Sequence, residues 1–496
     1  MKKLLLLIAI LLEGLLIANA QCPSTTDVTL NSQGKIDNFI ILYPNCSVIE
    51  GYLIIDESTD GDITNLKGLK NIQYIGKGLK IENNSSLKSL AGLEALDSVG
   101  RGIAIINNNA LETLDGLSGV KKINSYVEIN ENTKLTSING FGDASLTSIG
   151  GFLSLSSNPS LTSLSGLESI KTIKTSLYIC NMNNLTNLKG LDNVTSIGSC
   201  LIIQTNTKLQ NFTGLNKLDT IGGYVEISMN SALTNFSGLN SLTSTGSYFK
   251  VYGNDLLLNL SGLSSLKIIG KISSDLRNAL MVDYNPSLVD LSGLEALNQI
   301  NGFLYISDNL SLINLSGLQN LTALTGCVYI VRNDKLNDIT GIENIDPETV
   351  KSKNSNCKDL QISDNPQLSE CAIKCICPII NDNNKNKTIL NNKTGCNTTY
   401  EIKTECSASG IEDETDNLLE LCPNPAKNTI HLNYNETLTI NQDNFNIEIY
   451  SITGQKIKSI DHPVDKIDIS NFSEGIYIVN VTTGKGVASW KIAVTK

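Results

Sequence analysis

Only two histidines, His431 and His462, occur in the chain, and both lie towards its C-terminal end. Imidazole is the usual base for a Ser or Cys nucleophile and a common metal ligand, so the long stretch before them lacks both devices. The densest acidic group, Asp56, Glu57, Asp60 and Asp62, has calcium-binding chemistry but not the regular ligand rhythm of a calcium loop; it reads as a solvated insertion. Cys375 and Cys377 could ligate zinc, yet no histidine stands nearby, and twelve cysteines, eight of them within 327–422, read more readily as disulfide pairs. No catalytic residue, metal ligand or cofactor is assigned. What remains is aromatic: Tyr52, Tyr126, Phe152, Tyr178, Tyr224, Tyr248, Tyr252, Phe303, Tyr305 and Tyr329 recur at related positions, with Glu128, Glu226 and Lys250 among them.

Those positions are defined by a repeat. Gly166, Gly190, Gly214, Gly238 and Gly262 follow at a spacing of 24, each succeeded by leucine. Strict spacing of this kind means stacked copies of one unit. In the copy running from Ile149 to Thr172, Phe152-Leu153-Ser154-Leu155-Ser156 alternates with period two, a short strand with Leu153 and Leu155 inward. The later leucines fall every three residues, too broken by Asn, Pro and Gly for helices, so each unit is one strand plus a tight return path. About a dozen such coils stack at the β spacing of roughly 4.8 Å.

Asn84, Asn108, Asn132, Asn158, Asn206, Asn230, Asn254, Asn285, Asn309 and Asn333 occupy the tenth position, where the amide can bond turn backbone and the next Asn as a ladder; Met182 replaces it once. The glycine at position 18 supplies a backbone angle that other residues resist. The Asn, Leu and Gly of the repeat are architectural, and the Asn-x-Ser/Thr triplets, such as Asn211-Phe212-Thr213, arise from the repeat rather than marking glycosylation. The period breaks around 271–277 and 346–356, natural places for projecting loops. The aromatics lie at outward positions 4, 6 and 8. Two readings fit them: a platform for sugar rings or a protein surface, or rings stacked on one another to stabilise the sheet.

The start of the chain, Lys2-Lys3 followed by an apolar run and Ala18-Asn19-Ala20, reads as a secretory signal peptide with Gln21 as the mature N-terminus. Cys22 lies close by, but the residues before it lack the aliphatic one that lipid modification requires. The net charge of −11 argues against nucleic acid and anionic lipid surfaces. Cys22 and Cys46 would close the N-terminal end. Cys180 and Cys200 lie in adjacent strands but four positions out of step, about 13 Å, too far to bridge. Cys327, Cys357, Cys371, Cys375, Cys377, Cys396 and Cys406 form an odd set, implying a free thiol or an outside partner.

The pattern I-G-x-φ-φ-x-φ-x-x-N-x-x-L-x-x-L-x-G-L, with φ an apolar residue, resembles the receptor L-domain group of leucine-rich-repeat-like proteins over roughly 49–368. That resemblance implies an all-β, right-handed β-helix, a fold that serves recognition of many partners. The cysteine segment 371–406 is similar to the cap closing such arrays in exported proteins of the Bacteroidetes; a cap is needed because the last coil would expose leucines and strand edge. After it, alternation around Ile447-Glu448-Ile449-Tyr450 and Ile476 to Val481 reads as a small β-sandwich. With Pro423-Asn424-Pro425, Gly454, Gly475-Ile476-Tyr477 and the terminal Lys496, this block resembles the type A sorting domain of type IX secretion.

The expected organisation is therefore a signal peptide (1–20), N-terminal cap (21–48), solenoid (49–370), Cys-rich cap (371–410), acidic linker (411–420) and sorting domain (421–496). The resemblances imply Sec export, passage through the type IX secretion machinery, sorting-domain removal and release or attachment to surface lipopolysaccharide. The expected function is non-catalytic recognition or adhesion, with a protein or glycan ligand. The alternatives are a glycan-processing β-helix enzyme, which would need a carboxylate cluster in a groove, and a purely structural surface or matrix component.

Overall fold

The structure is a computed structural model that describes residues 22–23, 27–142, 144–271, 279–351, 358–408, 419–422, 426–434, 445–483 and 486–495. The expected signal peptide, Gln21, most of the 271–277 break, 352–356 of the second, most of the acidic linker, Pro423-Asn424-Pro425 and Lys496 lie outside the described residues. The chain divides into two compact units, Met1–Lys403 and Thr404–Lys496.

The first unit is a solenoid. Fifteen parallel strands, one per coil, form a long sheet that runs in sequence order from Val28–Leu30 to Lys387–Leu390. The repeat sets the register directly: Leu177–Cys180 pairs residue for residue with Leu153–Ser156 before it and Leu201–Gln204 after it. Inward Leu153, Leu155, Leu177, Ile179, Leu201 and Ile203 are fully buried. Stacking identical positions places apolar over apolar along the core, the main favourable term in such an array.

The return path contains a second sheet that the strand-plus-return reading did not include. Twelve two-residue strands, such as Ser148–Ile149, Thr172–Ile173 and Ser196–Ile197, pair in parallel. The second residue of each, usually Ile, points inward, and a glycine often follows because coils touch there. A Cβ on Gly198 would lie 2.0 Å from the Lys174 carbonyl oxygen, and one on Gly222 would lie 2.1 Å from that of Gly198.

After each long-sheet strand the chain turns through a left-handed residue. Among the described residues, every non-glycine with this backbone (φ 54° to 59°) immediately precedes a ladder position, from Asn83 before Asn84 to Asn391 before Asn392. The conformation disfavours a Cβ. It turns the next side chain into the core, where hydrogen bonds offset the cost. Asn206 shows the pattern: Oδ1 accepts from the Met182 N–H (2.9 Å), while Nδ2 donates to the Ile179 carbonyl (2.9 Å) and to Asn230 Oδ1 (3.0 Å). At the substituted rung, Asn158 Nδ2 lies 4.0 Å from Met182 Sδ. The ladder continues past Asn333 to Asn365 and Asn392, two rungs displaced by irregular spacings of 32 and 27.

Glycine 18 is required twice over. Gly190 has φ 111°, and a Cβ there would meet the Leu164 carbonyl oxygen at 2.1 Å. Two residues later a side chain accepts the glycine N–H: Glu168 from Gly166 (2.8 Å), Asp192 from Gly190 (2.8 Å), Asn216 from Gly214 (3.1 Å) and Glu295 from Gly293 (2.9 Å). These three carboxylates are thus engaged by the solenoid's own backbone. The Asn of the Asn-x-Ser/Thr triplets acts similarly, Asn211 accepting from Thr213 N–H and Asn235 from Ser237 N–H.

Both ends are closed. Cys22 pairs with Cys46, so its thiol is unavailable for lipid, and the helix Gln33–Leu42, capped by Ser32, buries Ile36 and Phe39. At the other end Cys371 pairs with Cys396, and the segment 371–410 contributes the fifteenth strand as well as two helices, Ile376–Asn381 and Thr399–Ala408. Lys387 Nζ donates to the carbonyls of Ile379, Ile380 and Asp382, satisfying the C-terminal end of the first helix. Cys327, Cys377 and Cys406 are disulfide-bonded, and Cys375 keeps a buried free thiol. Cys180 stands opposite Gln204 rather than Cys200, and both thiols are free.

The second unit is antiparallel. Leu419–Cys422, Thr429–Tyr434 and Lys466–Asp468 form one sheet; Lys456–Ile460, Asn446–Ser451, Gly475–Thr483 and Gly486–Val494 form the other. Ile430, Leu432, Ile447, Val479, Val481 and Ile492 make its core. Gly454 takes φ 84° in the turn after Ser451, and Tyr477 is anchored by its hydroxyl to the Ser473 carbonyl (3.0 Å) and by its ring to Phe472 (5.0 Å).

Candidate binding face

Strand alternation sends positions 4, 6 and 8 of each coil to the outer face of the long sheet. All ten aromatics assigned there are half-buried. Register brings them together in groups. Tyr126 stacks on Phe152 (5.3 Å), and Phe152 and Tyr178 meet edge to face (6.0 Å). Tyr224 stacks on Tyr248 (4.5 Å), and Tyr305 lies against Tyr329 (5.8 Å). Tyr52 stands apart, with Lys77 5.4 Å from its ring centre and the Arg101 guanidinium on its hydroxyl (3.3 Å). Phe303 packs beside Gly326, where a Cβ would lie 2.7 Å from its ring.

Charged groups between the rings are mostly paired. Lys250 bonds Glu226 (3.1 Å) and lies 5.1 Å from the Tyr252 ring centre. Glu128 accepts from Asn130 (2.7 Å); burial, followed by the Glu82 charge, holds its carboxyl above the ordinary carboxylate range against that bond. Burial, then the neighbouring Cys200 thiol, pushes the Tyr224 phenol well above its ordinary range.

The richest part of the face includes residues that period-two reasoning did not pick out. Tyr284 occupies the left-handed position before Asn285, is 51% exposed and sits 5.6 Å from Tyr252. Asp283 pairs across the sheet with Tyr252 and Ser307. Its Oδ1 is buried without a hydrogen bond, and burial, then Asp308, raises its pKa. Arg332 grips Asp308 with two bonds of 2.6 Å, which outweigh the effect of burial and bring that carboxyl below its ordinary value. The usable signal was the residue before each ladder Asn, which alternation counts as turn.

The acidic insertion is organised internally. Glu57 accepts the N–H groups of Gly61 (2.9 Å), Ile63 (3.0 Å) and Ser85 (2.8 Å), and Asp62 accepts that of Gln33 (2.7 Å). Although burial pushes Glu57 up, those backbone donors hold it below the ordinary range. Cys377, being disulfide-bonded, cannot join Cys375 as a thiolate pair. Among the described residues, no cluster of three or more His, Cys, Asp or Glu side chains is arranged for a metal ion.

Two family models match the chain. That of the receptor L domain matches residues 45–140, and that of the secretion system C-terminal sorting domain matches residues 420–495. No curated protein matches the chain at a significant level. The first match covers the early coils, and the parallel register carries the same architecture through residue 390. The second coincides with the two-sheet C-terminal unit and marks the chain for type IX export to the cell surface or the medium.

Proposed function

We propose that this exported protein, a receptor L-domain solenoid with a type IX sorting tail, is a non-catalytic recognition or adhesion protein. Its ligand, a protein or glycan, rests on the outer face of the long sheet. The observation that carries this reading is the group Tyr252, Tyr284, Tyr305 and Tyr329: sheet stacking alone does not call for a ring as exposed as Tyr284, held beside Asp283 and the Asp308–Arg332 pair. Rings with one open face and fixed polar neighbours suit sugar rings or an amphipathic protein surface.

Catalysis has weaker support. Both histidines belong to the C-terminal unit, and Glu226, Asp308 and Glu128 are each engaged by a neighbour. The sorting resemblance adds retention on surface lipopolysaccharide, or release, as the final step.

The test is binding of the full exported chain to glycan and protein arrays beside a Tyr252→Ser, Tyr284→Ser, Tyr305→Ser variant with unchanged melting. A loss of at least about tenfold is expected from removing three ring contacts. Equal binding by the variant, or none by either, refutes the face. Release of new reducing ends from a polysaccharide panel would put the enzyme reading in its place.

A further inference from the structure

The turn that follows each ladder rung carries a second pattern. Four residues after the rung, most coils place a polar side chain outside: Lys88, Glu112, Thr136, Thr162, Thr186, Gln210 and Thr234. In three successive coils the same position holds Leu258, Val289 and Ile313, and all three are exposed, at 50%, 36% and 39%. Backbone bonds from Val289 N–H to the Leu258 carbonyl and from Ile313 N–H to the Val289 carbonyl, both 2.9 Å, place them directly above one another. Leu256 and Leu310, in the same turns, are 54% and 48% exposed. Roughly half of each of these five aliphatic side chains, on three stacked turns, amounts to a few hundred Å² of exposed apolar surface, the size that marks an interaction site.

The rim of this patch is acidic. Asp255 and Asp334 stand one residue after their rungs, and Asp290 and Asp338 five residues after theirs, against the single ammonium of Lys335 on this stretch. Asp290 and Asp338 are held in place by the N–H groups of Ser292 (2.9 Å) and Thr340 (2.7 Å). An apolar centre with a carboxylate rim is complementary to an aliphatic segment flanked by lysine or arginine. A second copy of this chain, with a net charge of −11, is a poor match.

We propose that the coils at Asn254, Asn285 and Asn309 carry a docking surface for a basic amphipathic protein segment, separate from the aromatic face. The probe is an 18-residue Leu/Lys amphipathic peptide, with a Leu/Glu peptide of the same pattern as control. Both are titrated into the full exported chain and into a Leu258→Thr, Val289→Thr, Ile313→Thr variant. Threonine is the repeat's own residue at this position, so melting should not change. The expected result is binding of the Leu/Lys peptide only, weakened at least tenfold in the variant and by added salt. Equal binding to the variant, equal binding of both peptides, or binding of neither overturns the proposal. Concentration-dependent self-association of the native chain that the variant abolishes also overturns it, in favour of a second copy.

Discussion

Replacing Asn206 with alanine tests whether the ladder holds the coils together or merely fills space. The substitution leaves the buried Met182 N–H without its 2.9 Å acceptor and removes the donations to the Ile179 carbonyl and to Asn230 Oδ1. Asn230 Oδ1 keeps the bond from the Asn206 backbone N–H (3.1 Å), so it is not orphaned. An unsatisfied buried donor costs about 1–3 kcal/mol and each further lost bond about 1 kcal/mol, for a total of about 3–5 kcal/mol. Asn187→Ala is the control, because the two bonds it removes, from the Lys189 N–H and to the Thr186 hydroxyl, lie at a solvent-accessible turn where water replaces them, and it should cost less than about 1 kcal/mol. Met182→Asn is the converse: it restores a carboxamide at the substituted rung and should gain about 1 kcal/mol. Urea unfolding gives the global effect, and amide exchange at Met182 gives the local opening energy, which matters because a repeat array can open in segments. If Asn206→Ala costs no more than Asn187→Ala, the ladder is packing rather than bonding and the reasoning fails.

Two further outcomes follow from groups held in unusual environments. Because burial and Asp308 disfavour the ionised form of Asp283, its raised pKa costs stability above the ordinary carboxylate range and nothing below it. Asp283→Asn should therefore raise the melting temperature at pH 7 and leave it unchanged near pH 3; a loss at pH 7, or a gain that persists in acid, contradicts this. Burial pushes the Cys375 thiol up to about 12, so iodoacetamide at pH 8 should leave it unmodified in the native protein and alkylate it on unfolding, as peptide mass mapping would report. Modification in the folded state would show that the C-terminal cap opens.

A 24-residue period is a statement about neighbours, because in a stacked array residue i lies against residue i ± 24. That is why the inward leucines, the ladder as far as Asn333, the outward aromatics and the mismatch of Cys180 with Cys200 could be read from spacing alone. The C-terminal sandwich was legible for a similar reason, since alternation and turn glycines declare antiparallel strands.

Spacing does not report where the backbone turns or which side chain a free N–H will find. The left-handed residue before every rung, the second sheet, and the acids that accept glycine N–H groups all depend on close approach between coils. The rungs at Asn365 and Asn392 follow two uneven intervals in succession, 32 and 27, with no return to 24, and only the fold shows that they land on the same column. Glu57 illustrates the difference most simply. By composition it belonged to a solvated acidic loop; in the fold, three backbone donors converge on it from its own coil and the next. Sequence alone determined the repeat and hence the architecture, because periodic burial needs only pattern. Tertiary structure decided which tyrosines cluster around Asp283 and which aliphatic side chains stay in water, because both depend on neighbouring coils meeting at a turn.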